Sequence, residues 1–343
     1  EISCSLVGSE MCIRDRLLLW GVIILAIAFD YINGFHDTAN AVATSVSTRA
    51  IQPKHAIMMA AILNFFGALV STGVAKTIGG DIILSPSFVN SEVLIAALIG
   101  ANLWNIASWY FGMPSSSSHA LVGGLIGAVS VSVGFQALDW SGIGTIFLAL
   151  VLSPVIAFGG GFFVMVMLLW LFGRRAPFTL NRKFRRLQLF TAAAMAFSHG
   201  SNDAQKSMGI ITLALLSAGH LSSFEVPLWV KVVCATAMAL GTAVGGWRII
   251  ATVGRKVFRM ESINGFAADL NSSIVISLAT MLHMPVSTTH VVSGSIMGVG
   301  SAKRVTAVNW NVARSMVVTW VSTIPLSGLV SAFVFWCLRG FGL

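Results

Sequence analysis

The chain has 343 residues, of which 56% are hydrophobic and only 10% are charged. Soluble domains carry about 25% charged residues, so this composition excludes a water-soluble globular protein and predicts an integral membrane protein in a lipid bilayer. The formal net charge is +9. Decapeptides of alternating polar and apolar residues, typical of membrane β-barrels, are absent, so we predict an all-α polytopic fold.

Apolar segments long enough for membrane helices recur after a polar first stretch. Residues 1–16 carry mixed charge without a signal-peptide pattern, and we predict a non-native or disordered N-terminal segment there. Ser153-Pro154 and the three glycines at 159–161 predict an interruption within residues 142–172. The apolar segments expected along the chain are 17–33, 37–48, 55–75, 92–112, 119–134, 142–172, 188–217, 226–247, 263–283 and 308–338.

A basic segment, 173–187, divides the chain near its middle. It contains Arg174, Arg175, Arg182, Lys183, Arg185 and Arg186 and no acidic residue. This pattern is typical of a cytoplasmic loop under the positive-inside rule, so we expect a multi-pass protein of the cell inner (plasma) membrane and no nucleic-acid partner. The four cysteines show no metal-binding spacing.

Two motifs occur twice, in the same order. Residues 113–127 (MPSSSSHALVGGLIG) align with residues 284–298 (MPVSTTHVVSGSIMG), and residues 33–40 (NGFHDTAN) align with residues 199–206 (HGSNDAQK). Such an ordered recurrence predicts a duplicated membrane domain. The expected parts are a first repeat at 17–140, a connecting membrane segment and basic loop at 141–187, a second repeat at 188–305, and a C-terminal membrane helix at 306–343.

Each hydroxyl-rich patch lies between apolar segments. Matching interruptions in two halves indicate a transporter binding site, because irregular backbone inside a bilayer has to line a cavity. Pro114 and Pro285 suit the first position of a half-helix, so the hydroxyls that follow would lie in its first turn, where free N–H groups attract an anion. We therefore predict two re-entrant helical hairpins, whose Gly-x-x-x-Gly patterns let another helix approach closely. The plainer alternative is that the hydroxyls cap two ordinary surface helices.

Asp37 and Asp203 are carboxylates in membrane-helix segments, where a charge is costly and indicates function. Asn40 shares a helix face with Asp37, and Asn202 and Gln205 flank Asp203. Carboxylate and amide oxygens suit a hard monovalent cation, and Asp also carries protons. We therefore predict a cation site beside the anion site, with no cofactor and no other metal.

Further ionisable residues stand near these motifs. Lys206 either balances Asp203 or contacts the anion, and Asp30 and Asp269 either tune the site or balance a basic residue. The histidines are expected to be hydrogen-bonded scaffolds, with proton relay as an alternative for the last two: His119, His290, His36 and His199.

These motifs resemble the inorganic phosphate transporter (PiT) family of Na⁺- or H⁺-coupled symporters. The matching stretches are GFHDTANA (34–41), PSSSSHALVGGLIGA (114–128), HGSNDAQKSMGIIT (199–212) and PVSTTHVVSGSIMGVG (285–300). The resemblance extends over residues 17–343 and looks like that of a short bacterial member. The family's Gly-x-Asn-Asp element is kept at Gly200–Asp203, whereas the first half has His36 where many members have Asn.

The resemblance implies phosphate import coupled to Na⁺ or H⁺, by alternating access around a midplane site between two inverted repeats, and a homodimer. A simple count gives an even number of crossings per half, which would make the repeats parallel instead. By resemblance, the phosphate-binding residues are Ser116, Ser117, Ser118, Ser287, Thr288, Thr289, Asn40 and Gln205. The cation-coupling residues are Asp37, Asp203 and Asn202, with Na⁺ possible at the two acids.

The residues alone leave three alternatives open. A sulfate permease of the same family would use a similar site, but only phosphate donates a hydrogen bond to an ionised Asp. An intramembrane hydrolase would use a serine with His119 or His290, yet serine runs in a duplicated site are not typical of one nucleophile, so no enzyme activity is expected. A channel fits a closed midplane site less well.

Overall fold

A computed structural model describes the backbone of residues 2–85, 88–174 and 176–340, and the side chains of residues 13–85, 88–174, 176 and 178–340. The α-helices within these residues are α1 Ile2–Ser47, α2 Pro53–Ala68, α3 Gly73–Gly80, α4 Ser91–Phe111, α5 Ser117–Ser132, α6 Trp140–Phe172, α7 Pro177–Asp203, α8 Gln205–Ser217, α9 Leu228–Val244, α10 Trp247–Ala251, α11 Ser262–Met281, α12 Thr288–Lys303 and α13 Trp310–Gly340. A π-helical turn, Thr252–Lys256, extends α10. The all-α membrane fold expected from the sequence is confirmed.

Four of the described helices are long and apolar enough to cross a membrane, namely α1 from Ile13, α4, α6 and α13. Two bent pairs raise this number to six if each counts as one span. Helix α2 continues into α3 with a bend of 72°, and α9 continues into α10 and its π turn with a bend of 60°.

Helix α6 is continuous, so the interruption expected within residues 142–172 is wrong. Pro154 lacks the N–H group that would bond the carbonyl of Leu150 in an unbroken helix. Ser153 Oγ donates to that carbonyl at 3.3 Å and so replaces the missing hydrogen bond. Pro154 is therefore accommodated inside a continuous helix, with its freed carbonyl satisfied by a neighbouring side chain.

Two other expected segments are broken instead. The segment 55–75 ends its first helix at Ala68, and the segment 188–217 breaks at Ala204. At the second break, Gln205 Nε2 donates to Ser201 O at 2.5 Å. In a continuous helix, the backbone N–H of Gln205 would bond the Ser201 carbonyl. The side-chain amide of Gln205 bonds this carbonyl instead, which accounts for the helix break one residue after Asp203.

The basic segment 173–187 differs from the expected loop because α7 already begins at Pro177. A proline in the first turn of a helix loses no hydrogen bond, and Arg and Lys favour helix. Helix α1 begins at Ile2, so the backbone of residues 2–16 is helical. The division of the chain at residues 16, 140, 187 and 305 and the origin of the first segment stay predictions.

The second half of the chain repeats the element order of the first. Helix α1, the bent pair α2–α3, the hairpin α4–α5 and the long helix α6 are followed by α7–α8, α9–α10, the hairpin α11–α12 and α13. Helix α5 packs on α13, and α12 packs on α6. In the same way α1 packs on α9, and α7 packs on α2. The two halves are interleaved, so residues from both meet in the interior.

The glycines of the two Gly-x-x-x-Gly patterns lie where hairpins cross long helices. A Cβ atom on Gly127 would lie 2.1 Å from Gly328 O of α13, and one on Gly298 would lie 2.0 Å from Phe158 O of α6. Side-chain carbons do not approach a backbone atom this closely. The close helix approach predicted from the pattern is confirmed.

Gly298→Ala should destabilise the protein by about 1–3 kcal/mol, because its methyl group overlaps the backbone of α6. Thermal unfolding of the purified protein in detergent measures the effect. The control is Gly144→Ala on α6, where a Cβ atom has no neighbour within 4 Å. This variant should melt at or slightly above the wild-type temperature, because alanine favours helix over glycine. Equal melting temperatures of the two variants would contradict the packing role of Gly298.

Candidate functional site

The tips of the two hairpins meet in the interior. Ser116 and Ser287 are the N-caps of α5 and α12, and their hydroxyls accept the N–H groups of His119 at 3.2 Å and His290 at 3.3 Å. Ser118 Oγ of the first tip donates to Val286 O of the second tip at 3.0 Å. Two helix N-termini are thereby held tip to tip, with their positive dipole ends in one place.

The prolines of the two patches precede these helices rather than opening them. Pro114 and Pro285 each lie two residues before the N-cap serine, so their expected first helical position is wrong. The capping serines supply the physical reason, because a side-chain acceptor at the N-cap defines the helix start more strongly than a proline. The hydroxyls that follow do lie in the first turn, as expected.

Hydroxyls of both first turns face the two aspartates. Ser117 Oγ lies 3.5 Å from Asp37 Oδ2, and Thr288 Oγ1 donates to Asp203 Oδ2 at 3.1 Å. These contacts are equivalent, since each tip serves the aspartate of its own half. Thr289 Oγ1 additionally lies 3.4 Å from Asp37 Oδ1, so the second tip reaches both acids.

Asp37 is buried among polar side chains of three elements. His36 Nδ1 lies 2.5 Å from its Oδ1, and His36 Nε2 lies 3.1 Å from Ser108 Oγ and 3.2 Å from Ser115 Oγ of the first hairpin. Asn40 Nδ2 donates to Thr289 Oγ1 at 2.9 Å. The aspartate, the amide one turn later and the second hairpin tip therefore form one hydrogen-bonded group.

Asp203 is completely buried and has a cationic partner. Lys206 Nζ donates to Asp203 Oδ1 at 2.6 Å, and Asn33 Nδ2 lies 3.5 Å from Oδ2. Lys206 therefore acts as the counter-charge in this structure, one of the two roles that the sequence left open. The carboxylate of Asp203 is shared between this ammonium and the second hairpin tip.

His199 completes a group of cation ligands that the sequence analysis did not assign. One donor atom each of Asp37, His199 and Asp203 lies within 4.8 Å of the others. Thr242 Oγ1 donates to Met238 O, so it acts as the acceptor for Asn64 Nδ2. The other end of this amide, Asn64 Oδ1, therefore faces His199 Nδ1 at 3.2 Å.

The Nδ1 proton of a neutral His199 is therefore donated to Asn64, and its Nε2 lone pair faces Asp203 Oδ2 at 3.5 Å. Two carboxylates and one imidazole nitrogen suit a proton or a metal cation. The spacing was the available signal, because His199 stands four residues before Asp203 and so shares its helix face.

Two predicted site residues have other partners. Gln205 Oε1 accepts Ala75 N of α3 at 3.2 Å while its amide bonds Ser201 O, so it joins α3 to the α7–α8 break. Asn202 Nδ2 donates to Thr280 Oγ1 at 2.9 Å and lies 3.4 Å from Met284 O, both at the second hairpin. His36 holds the first hairpin from the matching position, so hydrogen bonding to the hairpin is preserved although the amide is replaced.

The remaining acids and histidines have hydrogen-bond or ring partners other than the two aspartates. Asp30 accepts Ser207 Oγ at 2.7 Å, and Asp269 accepts Thr44 Oγ1 at 2.5 Å. The rings of His119 and His290 have centroids 4.5 Å apart. His119 Nδ1 also lies 2.7 Å from Ser116 Oγ, but that hydroxyl is the N-cap of α5, as expected for a scaffold role.

The motif glycines fix where the aspartates lie. A Cβ atom on Gly34 would lie 2.4 Å from Met238 O of α9, and one on Gly200 would lie 2.3 Å from Asn64 O of α2. Each glycine stands three residues before its aspartate. One Gly-x-x-Asp unit therefore fixes both the place where the helices cross and the position of the aspartate next to that crossing. The shared spacing of the two motifs follows from this equivalent packing.

Known proteins match the chain over most of its length. A family model described as "Phosphate transporter family" matches residues 33–331. A "Probable low-affinity inorganic phosphate transporter" of Bacillus subtilis (strain 168) is 51% identical over 320 residues, covering 93% of this chain and 96% of the relative. A relative of the same description from Rhizobium meliloti (strain 1021) is 47% identical with the same coverage.

A solved structure described as "The sodium-dependent phosphate transporter" has the same fold. It matches with a TM-score of 0.83 and 25% identity, and the match covers 94% of this chain and 99% of that chain.

Broken helices that meet at a buried polar site between two halves define a membrane transporter. With the family match over residues 33–331, the chain belongs to the phosphate transporter family, as its motifs predicted. Its relatives are named as transporters, which are not enzymes, and this excludes the hydrolase alternative.

Ser287→Ala should destabilise the protein by about 1 kcal/mol, because the N–H of His290 loses its capping acceptor. Thermal unfolding in detergent measures the change. Ser287→Asn is the matched control, since its amide oxygen also caps a helix and should retain most of the stability. If Ser287→Ala melted with the wild type, the hydroxyl would not be acting as a cap.

Proposed function

We propose that the protein imports inorganic phosphate together with Na⁺ or H⁺, as a secondary symporter of the inner membrane. The observation that carries this proposal is the convergence of Asp37 and Asp203 with the first-turn hydroxyls of α5 and α12. Buried carboxylates attract a cation and helix N-termini attract an anion, so binding both together offsets part of each desolvation cost. The names of the relatives support phosphate as the anion.

In this proposal the anion is bound by Ser117, Ser118, Thr288, Thr289 and Asn40, which lie at the two helix N-termini. The first N–H groups of a helix lack intrahelical partners and add donors without a formal charge. A protonated phosphate oxygen can donate to a carboxylate, and sulfate has no such proton. The two nearby acids therefore favour phosphate over sulfate.

Ser116, Ser287 and Gln205 have an indirect part in the proposal. The two serines are occupied as N-caps, and Gln205 holds the α7–α8 break. They set the position of the binding groups rather than contacting phosphate themselves.

The coupling cation is proposed to bind among Asp37, His199 and Asp203. The sodium dependence named for the solved relative supports Na⁺, and the imidazole of His199 equally suits H⁺. Asn202 donates its amide to the second hairpin, and its buried Oδ1 has no partner among the described residues, so we propose this oxygen as a further ligand of the cation.

Alternating access is supported by two contacts between bent helices and hairpin tips. Arg248 of α10 stacks over the Tyr110 ring at 4.9 Å and donates to Tyr110 O at the end of α4. In the other half, Thr77 of α3 donates to His283 O at 2.8 Å, just after α11. A Cβ atom on Gly73 would lie 2.0 Å from the His283 ring, so α3 lies directly against the second tip.

We propose that these two contacts are gates that open in turn, one for each hairpin. The repeats would then be inverted, so that the gates lie on opposite sides of the membrane, and the protein would form a homodimer, both as the family resemblance implies. Inversion also fits the uninterrupted α6, since one long helix closes each half.

Uptake of radiolabelled phosphate into proteoliposomes, under separate Na⁺ and pH gradients, tests the function. We expect accumulation driven by one of these gradients and little competition from excess sulfate. Asp37→Asn should lower uptake at least tenfold, because the amide keeps the shape but cannot carry the charge that attracts the cation.

The matched control is Asp269→Asn, which changes a buried acid bonded to Thr44, outside the ligand group. It should retain most of the uptake. No accumulation by the wild-type protein under either gradient would overturn the proposal, and uptake abolished by sulfate would favour a sulfate permease.

Arg248→Ala should open the gate over the first hairpin more often, because it loses about 1 kcal/mol of stacking on aromatic rings, roughly fivefold in the opening equilibrium. Modification of Ser115→Cys, in a protein without its native cysteines, by an impermeant thiol reagent measures the opening. Arg248→Lys retains a cation and should react more slowly than Arg248→Ala. Equal rates in wild type and Arg248→Ala would contradict a gating role.

A further inference from the structure

The two aspartate motifs differ at several positions that touch the site, and one of them places a lysine against an aspartate. Aligning Asp37 with Asp203 places Asn40 of the first motif over Lys206 of the second. Both side chains come one turn after their aspartate and both are buried. Asn40 bonds the threonines of the second hairpin, whereas Lys206 bonds the aspartate of its own motif. Both halves therefore contribute an aspartate to the site, but only the second half contributes a lysine.

Lys206 is among the largest fully buried side chains of the protein. Its Nζ lies 2.6 Å from Asp203 Oδ1, which leaves Oδ2 to face Thr288 and His199. An ammonium buried without a partner is strongly unfavourable, so this pair holds one fixed positive charge beside the second acid. The first acid has His36 Nδ1 against its Oδ1, where the second has the lysine ammonium.

We propose that Lys206 is a tethered cation, which takes the place of one coupling ion at Asp203. Binding phosphate beside two carboxylates requires compensating positive charge, and Lys206 supplies one such charge on every cycle without being transported. The protein then moves one coupling cation fewer per phosphate than it would with asparagine at position 206. This inference rests on the proposed symport and identifies a residue that sets its stoichiometry.

The plain alternative is a structural ion pair that only secures the α7–α8 break. Transport stoichiometry separates the two readings, because a structural pair does not change the number of charges moved per phosphate. Reversal potentials of phosphate flux in proteoliposomes give this number, measured separately in Na⁺ and in H⁺ gradients.

Lys206→Asn, which copies Asn40, should raise the coupling charge by one per phosphate. Lys206→Arg, which keeps the charge, should retain the wild-type number. The double variant Asp203→Asn/Lys206→Asn removes a proposed ligand of the coupling cation, so it is used only in the binding measurement below. An unchanged number in Lys206→Asn would overturn the proposal.

A second measurement covers variants that do not transport. Thermal unfolding in detergent is followed over a Na⁺ titration and over pH. Lys206→Asn should be stabilised by the coupling cation more steeply than the wild type, because Asp203 Oδ1, released from Lys206, can bind one further cation. The double variant should lose this added dependence, and identical curves for all three proteins would overturn the inference. This binding assay remains decisive even if the wild-type protein moved no phosphate, an outcome that would count against the proposed function alone.

Discussion

Two carboxylates buried in a membrane protein impose the condition on which the other parts of the site depend. Asp37 and Asp203 have to be met by donors, because an uncompensated charge in an apolar interior is costly. The structure meets them with two helix N-termini, their first-turn hydroxyls and one lysine. A capping serine satisfies one N–H group at each helix end, and the acids accept the hydroxyls of the first turns, so the acids and the hairpins stabilise one another.

Backbone contact sets the positions of these groups more than side-chain packing does. Gly34 and Gly200 bring α1 and α7 against the bent helices of the opposite half, one turn before each acid. The glycines of the hairpins bring α5 and α12 against α13 and α6 in the same manner. Each half therefore provides the surface on which the other half's motif rests. A duplicated sequence can build one central site in this way, because every motif needs a partner from the second copy.

Much of this arrangement was accessible from the sequence, because it rests on patterns. The paired motifs predicted the hairpins, the close helix crossings and the two acids beside the two hydroxyl-rich patches. The roles within each patch were not accessible, since a serine that caps and a serine that faces an acid look alike in a run. Ser116 and Ser117 differ only by where the helix begins. The break at Ala204 and the continuity at Pro154 depend on single side-chain bonds to carbonyls, from Gln205 and Ser153, which periodicity does not encode.

The differences between the two halves carry information that the symmetry does not. His36 and Asn202 occupy one aligned position, and each bonds the hairpin of its own half. Exchanging an amide for an imidazole therefore preserves the hydrogen bond to the hairpin, and it places an imidazole ring against Asp37. Asn40 and Lys206 occupy another, and there the exchange alters the charge of the site. The packing constrains the shape and the hydrogen bonds of the side chains at such positions, but it does not fix whether those side chains are charged. Under the proposed symport, a single substitution beside the acids changes coupling without any change in the packing that brings the two halves together.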